Sequence, residues 1–140
     1  MIEIEKADDL LGISLNNILS FRKNEEDFIK LVTNWNKKII IEIEKFYPVE
    51  VIFEENEIKF KIENIDNKVD LKVRMSLDTL LDIAYGRINP INAVLKSKVK
   101  MKGMIKFGTV IKFLKIFVNS MKMVASQPNQ NYYELNKETR

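Results

Sequence analysis

From Lys37 onward the apolar residues of this chain fall at every second position, and that period of two restricts its fold more than any other feature of the sequence. Ile39, Ile41 and Ile43 alternate with Glu42 and Glu44, and Val49, Val51 and Phe53 with Glu50 and Glu54. Ile58, Phe60 and Ile62 stand against Lys59, Lys61 and Glu63, after Glu55-Asn56-Glu57, a connection short enough for a tight hairpin. Val69, Leu71, Val73 and Met75 oppose Asp70, Lys72 and Arg74, and Val99 and Met101 oppose Lys98, Lys100 and Lys102. Successive side chains of a strand point to opposite faces, so each of these segments has one apolar and one charged side. A doubly wound parallel sheet buries both faces and is excluded. The pattern predicts an α+β fold whose antiparallel or mixed sheet has water on one face and helices on the other.

The other segments carry the helical period. Asp8 and Asp9 precede Leu11, Leu15, Ile18 and Leu19, which predicts a helix over roughly residues 8 to 21. Asn24 is placed as the cap of a second helix, whose Phe28, Leu31, Val32 and Trp35 share a face. Between the fourth and fifth strands, Ser76 is placed to cap a helix with Leu77, Leu80, Leu81 and Ala84 inward, and Gly86 to end it in the left-handed conformation. Asn89-Pro90 then starts a short helix carrying Ile91, Val94 and Leu95 inward.

Residues 104 to 125 are the most apolar stretch, with Lys106, Lys112, Lys115 and Lys122 its only charges. Lys112, Lys115, Asn119 and Lys122 form a narrow polar stripe at helical spacing. The apolar remainder is wider than the roughly 100° that a helix needs to cover a core. A ligand, a partner subunit or a membrane surface could cover the surplus. A membrane span is excluded by the four lysines, each costing about 2.5–3.5 kcal/mol near the bilayer centre.

The 140 residues fit one domain, expected over residues 1–125, with 126–140 a polar, flexible tail. The start, Met1-Ile2-Glu3-Ile4-Glu5-Lys6, alternates apolar and charged residues where a signal peptide would be apolar, so the expected compartment is the cytoplasm. The chain has no cysteine and no histidine. That removes thiolate chemistry, the usual metal ligands and the usual general base near neutrality. Its serines lack a histidine to activate them, and its carboxylates mostly alternate along the solvent side of strands. No catalytic residue, metal or cofactor is assigned. The four glycines match no nucleotide-binding spacing. Charge is lopsided: residues 1–70 hold 16 acids and 10 bases, and residues 71–140 hold 4 acids and 13 bases. The row Lys96, Lys98, Lys100 and Lys102 beside Lys72 and Arg74 lacks the exposed aromatic residues that stack nucleobases, so nucleic acid is not expected.

Asp70-Leu71-Lys72-Val73-Arg74-Met75-Ser76, Leu80-Leu81-Asp82-Ile83, Gly86-Arg87-Ile88-Asn89-Pro90, Ala93-Val94-Leu95 and Val99-Lys100-Met101-Lys102-Gly103 follow one another at telling spacings. Together they resemble the sterol carrier protein type-2 (SCP2) domain, most closely over residues 69 to 118. One departure is Ser97, where that family usually has glycine. The resemblance implies a five-stranded, mainly antiparallel sheet covered on one side by helices, with a hydrophobic tunnel between them. It also implies non-catalytic binding, with intracellular transfer, of a sterol, isoprenoid, fatty acyl chain or phospholipid. Carried over by position, the tunnel wall comprises Leu80, Leu81, Ala84, Val94, Leu95, Met101, Met104, Phe107, Ile111, Leu114 and Phe117, each of which could instead be plain core. Lys112 and Lys115 could hold a lipid carboxylate or phosphate at the mouth, but a solvated stripe is the preferred reading of them. The expected partner is an apolar small molecule, bound by a monomer or homodimer, with transient contact to a membrane surface as a further option. The competing expectation is an accessory protein whose apolar helix surface docks a partner enzyme of lipid or quinone metabolism.

Overall fold

The computed structural model describes residues 2–63, 68–102 and 107–125, residue 107 by its backbone only. The tail expected at 126–140 lies outside the described residues. The elements are β1 (Glu3–Ile4), α1 (Leu10–Ser20), α2 (Glu26–Val32), β2 (Lys37–Ile43), β3 (Pro48–Glu54), β4 (Glu57–Lys61), β5 (Leu71–Met75), α3 (Leu77–Ala84), α4 (Pro90–Leu95) and β6 (Val99–Lys102). A last helix runs as α5 (Phe107–Phe113), a π-helical turn (Leu114–Val118) and α6 (Asn119–Ala125). The α+β class and the five alternating strands are as expected, and a sixth strand joins them. The sheet order is β1-β4-β3-β2-β5-β6. β1 is only two residues long, too short for its alternation to mark a strand, yet Glu3 and Glu5 donate their N–H groups to the carbonyls of Asn56 and Ile58 at 3.0 and 2.8 Å. It pairs with β4 in parallel, as β2 does with β5, and the other three pairings are antiparallel.

Register turns the period of two into continuous rows. On one face Ile4, Ile58, Phe53 and Lys37 lie side by side, and next to them Phe60, Val51, Ile39 and Leu71. Val49, Ile41, Val73 and Met101 form the next row, and Ile43, Met75 and Val99 the last. Most of these apolar side chains are buried, and α1, α2 and the last helix pack over them. The opposite face carries Lys38, Glu42, Lys59, Lys61, Lys72, Arg74, Lys100 and Lys102, but at its middle Ile40 and Glu50 stand side by side and are buried, so this carboxylate does not face solvent as the alternation suggests. The β3–β4 hairpin turns through Glu55 and Asn56, both in the left-handed region at φ 51° and 62°, as a two-residue hairpin loop requires.

Local chemistry sets the helix ends. Asp9 caps α1 through the Gly12 N–H at 2.6 Å, and also accepts the Tyr47 hydroxyl at 2.8 Å while that hydroxyl accepts the Leu11 N–H at 3.0 Å. The Leu11 N–H pulls the Tyr47 pKa down, but desolvation and the Asp9 carboxylate outweigh it and hold the phenol above its ordinary value. Gly12 is required by close approach, since a Cβ there would stand 2.9 Å from Ala7 Cβ and overlap Asp9. Asn24 does not cap α2; Glu25 occupies that position without a side-chain cap. Ser76 and Asn89 cap α3 and α4 through the N–H groups of Thr79 and Ile91 at 3.1 and 2.8 Å.

α3 and α4 stop in the same way. At α3, Gly86 lies at φ 75° and the Arg87 N–H reaches back to the Asp82 carbonyl at 2.8 Å. At α4, Ser97 lies at φ 59° and the Lys98 N–H reaches the Ala93 carbonyl at 2.9 Å. Serine bears a steric cost there that glycine does not.

The π-helical turn is held from outside the helix. Arg22, only 5% exposed, donates from Nη1 to the Lys115 carbonyl at 2.9 Å and to Ser120 Oγ at 3.3 Å, with the Ile116 carbonyl at 3.5 Å. Its Nε pairs with Glu25 at 3.0 Å and its guanidinium lies 5.5 Å from the Phe28 ring centroid. Ser120, fully buried, donates to the Ile116 carbonyl. A π turn displaces the regular ladder, so its carbonyls need outside donors.

Arg22→Leu is expected to lose about 2–4 kcal/mol, by stranding these buried acceptors. Ser97→Gly is expected to gain about 0.5–1 kcal/mol by relieving the left-handed serine. Urea midpoints at unchanged slope check both.

Candidate functional site

An apolar cleft lies where the β5–β6 end of the sheet meets α3, α4 and the last helix. Met75, Val99 and Met101 form its floor, Ile83 comes from α3, and Pro90 and Val94 come from α4. Phe113, Leu114, Phe117, Val118 and Met121 close it from the last helix. The part bounded by described residues has a volume of about 20 Å³, room for about one water molecule. Every described lining residue is apolar, so among the described residues the cleft has no side chain able to transfer a proton, attack an electrophile or bind a metal. Burial and dispersion are the interactions it can offer.

The last helix is fixed against the sheet by an aromatic chain. Phe113 and Phe117 lie 4.9 Å apart between centroids, Phe117 meets Phe53 edge-on at 6.0 Å, and Phe53 meets Trp35 at 4.9 Å. Such pairs contribute about 0.5–1.5 kcal/mol each beyond the area they bury. Lys112 lies over the Trp35 ring at 5.6 Å and Lys115 is exposed. Neither lines the cleft, so an anion-holding role at its mouth finds no geometry here.

Of the wall residues carried over by position, Val94, Met101, Leu114 and Phe117 come together in the cleft. Leu80, Ala84 and Ile111 are half-buried beside it and do not line it. Leu81 and Leu95 lie on the outer sides of their helices, exposed by 40% and 76%. Met104 and the side chain of Phe107 lie outside the described residues. The inward faces read for α3 and α4 are corrected accordingly: Thr79 and Ile83 are the buried residues of α3 and Ala93 that of α4, while Leu77 and Ile91 are exposed. Thr79, bonded to Ser76 Oγ through its backbone N–H and hydroxyl at 3.1 and 3.0 Å, lies on the buried side of α3. In helices of eight and six residues, the junctions to the flanking strands override the hydrophobic face. Met75, Ile83, Pro90, Val99, Phe113, Val118 and Met121 also line the cleft. Alternation marked Met75 and Val99 as inward, but periodicity does not say which core residues border a cleft.

The apolar surplus expected on the last helix is largely covered. Phe113, Ile116, Phe117, Val118 and Ala125 are buried under the sheet and α1 to α3. Exposed apolar side chains lie instead on α3 and α4, at Leu77, Leu81, Ile91 and Leu95, and on and after α1 and between β2 and β3, at Leu10, Ile13, Phe21 and Phe46. Among the described residues no helix is long and apolar enough to cross a membrane.

Residues 15–114 match the family model of the SCP-2 sterol transfer family. No curated protein matches the sequence. Among solved structures the chain is similar to the stereoselective inverting sec-alkylsulfatase Pisa1 from Pseudomonas sp., at TM-score 0.53 and 14% identity, over 64% of this chain and 14% of that one. It is similar to the UbiJ-SCP2 ubiquinone synthesis protein, at TM-score 0.57 and 14% identity, over 82% and 88% of the two chains. It is also similar to the apo form of sterol carrier protein 2 from Yarrowia lipolytica, at TM-score 0.53 and 17% identity, over 83% and 96%. The chain thus spans a small part of the sulfatase and most of the other two. At these identities the likeness is one of fold.

Phe117→Ala is expected to cost about 3–5 kcal/mol, because it empties a wall position and breaks two aromatic contacts. Leu95→Ala is expected to stay within about 0.5 kcal/mol of the parent. Thermal and urea unfolding of the two variants separate wall from surface.

Proposed function

The chain belongs to the SCP-2 sterol transfer family, and from that premise we propose that it binds one apolar ligand in the cleft between sheet and helices and carries out no chemistry on it. Membership of the family points to lipid binding or transfer. The observation that supports the finer reading is the apolar character of every described lining residue, drawn from three separate layers, since a space bounded by sheet, insert helices and last helix widens when one layer moves. Val94, Met101, Leu114 and Phe117 are the contact residues we assign, within a binding unit of residues 1–125. Sterol, isoprenoid, fatty acyl chain and phospholipid tail all satisfy such a wall, which selects by volume and shape.

The part of the cleft bounded by described residues holds about 20 Å³, while a drug-sized ligand occupies a site of about 300–1,000 Å³. In this reading the ligand replaces contacts that the walls make with one another. Met75, Met101 and Met121 suit that exchange, because an unbranched thioether side chain repacks readily. α3 and α4 are the walls best able to move, being short helices with exposed outer faces.

A second reading has one observation in its favour. Leu77, Leu81, Ile91 and Leu95 present exposed apolar side chains on the two insert helices, a surface that a partner protein could cover. It would make the chain an accessory to an enzyme of lipid or quinone metabolism. The structural likeness to the ubiquinone synthesis protein is compatible with this and does not establish it.

Native mass spectrometry of the purified protein, with lipid analysis of the organic extract, decides between them. A monomer carrying one lipid, absent from Leu114→Glu and retained by Lys30→Gln, supports the cleft. An unliganded dimer that takes up no lipid from vesicles overturns it in favour of docking.

A further inference from the structure

The open face of the sheet holds a cluster that the lipid reading does not use. On β5 and β6, Lys72 is directly opposite Lys102 and Arg74 directly opposite Lys100. Like charges placed opposite one another across an antiparallel pair repel. One step inward on β2, Lys72 meets Ile40 and Arg74 meets Glu42. Glu42 bonds Arg74 at 2.9 Å and is, among the described residues, the only carboxylate lining the cluster. Among the described residues Lys72, Lys100 and Lys102 form no ion pair. The four cations and Glu42 enclose a concave space of about 110 Å³, which therefore carries three positive charges in excess.

Protection of a sheet edge accounts for only half of this. β6 is an edge strand, and lysines on an edge discourage pairing with another chain. β5 is interior, between β2 and β6, so Lys72 and Arg74 protect no edge. Their placement opposite two further cations makes sense when an anion sits among them. The excess charge fits an anion of two or three charges, the volume fits one or two tetrahedral oxyanions, and lysine ammonium groups serve phosphoryl oxygens as point charges.

We propose that Lys72, Arg74, Lys100 and Lys102 form a binding site for a phosphoryl anion of two or three charges, a phosphate monoester or diphosphate, on the sheet face opposite the apolar cleft. The same chemistry is offered by a free anion and by the headgroup of a membrane lipid. The site is independent of what the cleft holds.

The test uses the full chain, inorganic pyrophosphate, and vesicles of phosphatidylcholine with or without phosphatidic acid. Pyrophosphate is expected to raise the melting temperature of the parent protein, as any ligand specific for the folded state does. Lys72→Gln/Lys102→Gln is expected to weaken binding of the active probe at least about ten-fold. Without ligand, its own melting temperature is expected to rise by about 1–3 °C, because one repulsive pair has been removed. Lys100→Gln is a second variant with the same expected signs, and Lys30→Gln, on α2, should leave binding unchanged. Binding of pyrophosphate identifies a free anion as sufficient, whereas binding only to phosphatidic acid vesicles identifies a headgroup. No response to either probe, or binding that survives in the double variant, overturns the site. A double variant that melts lower than the parent does so as well, since the cations would then be structural.

Discussion

The guanidinium of Arg22 is the group on which the geometry of this molecule most depends. It arrives at the end of α1 and enters the π-helical turn of the last helix, more than ninety residues away, as the donor to that turn's displaced carbonyl. One extra residue in a turn rotates everything downstream by about 100°. The turn therefore sets how α6 faces the sheet relative to α5, and buries Ser120 at a position where a regular helix would not need it. The cleft wall runs through this turn, from Phe113 to Met121, so the arginine on one side of the helix supports the apolar lining on the other.

The opposite wall is built differently. α3 and α4 are too short to be stable alone, and each is held by a side-chain cap at its start and a left-handed residue at its end. Elements held by few buried contacts lie at the low end of local stability. Here that end includes a serine where the backbone favours glycine. A cleft with one wall locked by a buried charge network and the other tied down by caps is suited to opening on one side.

The sheet serves two environments through a single periodicity. Its apolar rows form the core and the cleft floor, while its other face carries the charged rows, with Ile40 and Glu50 buried among them, and gathers positive charge on β5 and β6. Because alternate residues of each strand belong to opposite faces, neither set can shift register without exchanging places with the other. The parallel pairing of β2 with β5 is what brings the strands from the two halves of the chain, one acidic and one basic, side by side.

Much of this was legible in the sequence, because alternation and helical spacing are local. The five longer strands, the caps at Ser76 and Asn89, the left-handed Gly86 and the apolar character of the last helix followed from neighbouring residues, as did the resemblance over residues 69 to 118. What tertiary structure alone decided is everything that depends on partners distant in the chain. β1 exists only because β4 offers an edge. Leu81 and Leu95 face outward because the junctions to the flanking strands set how their short helices lie against the sheet. The π turn is stable only because Arg22 reaches it, and the opposition of Lys72 to Lys102 is a matter of register. Local periodicity names the side of each element that is buried; it carries no information about which buried side meets which, and that meeting makes both the cleft and the basic cluster.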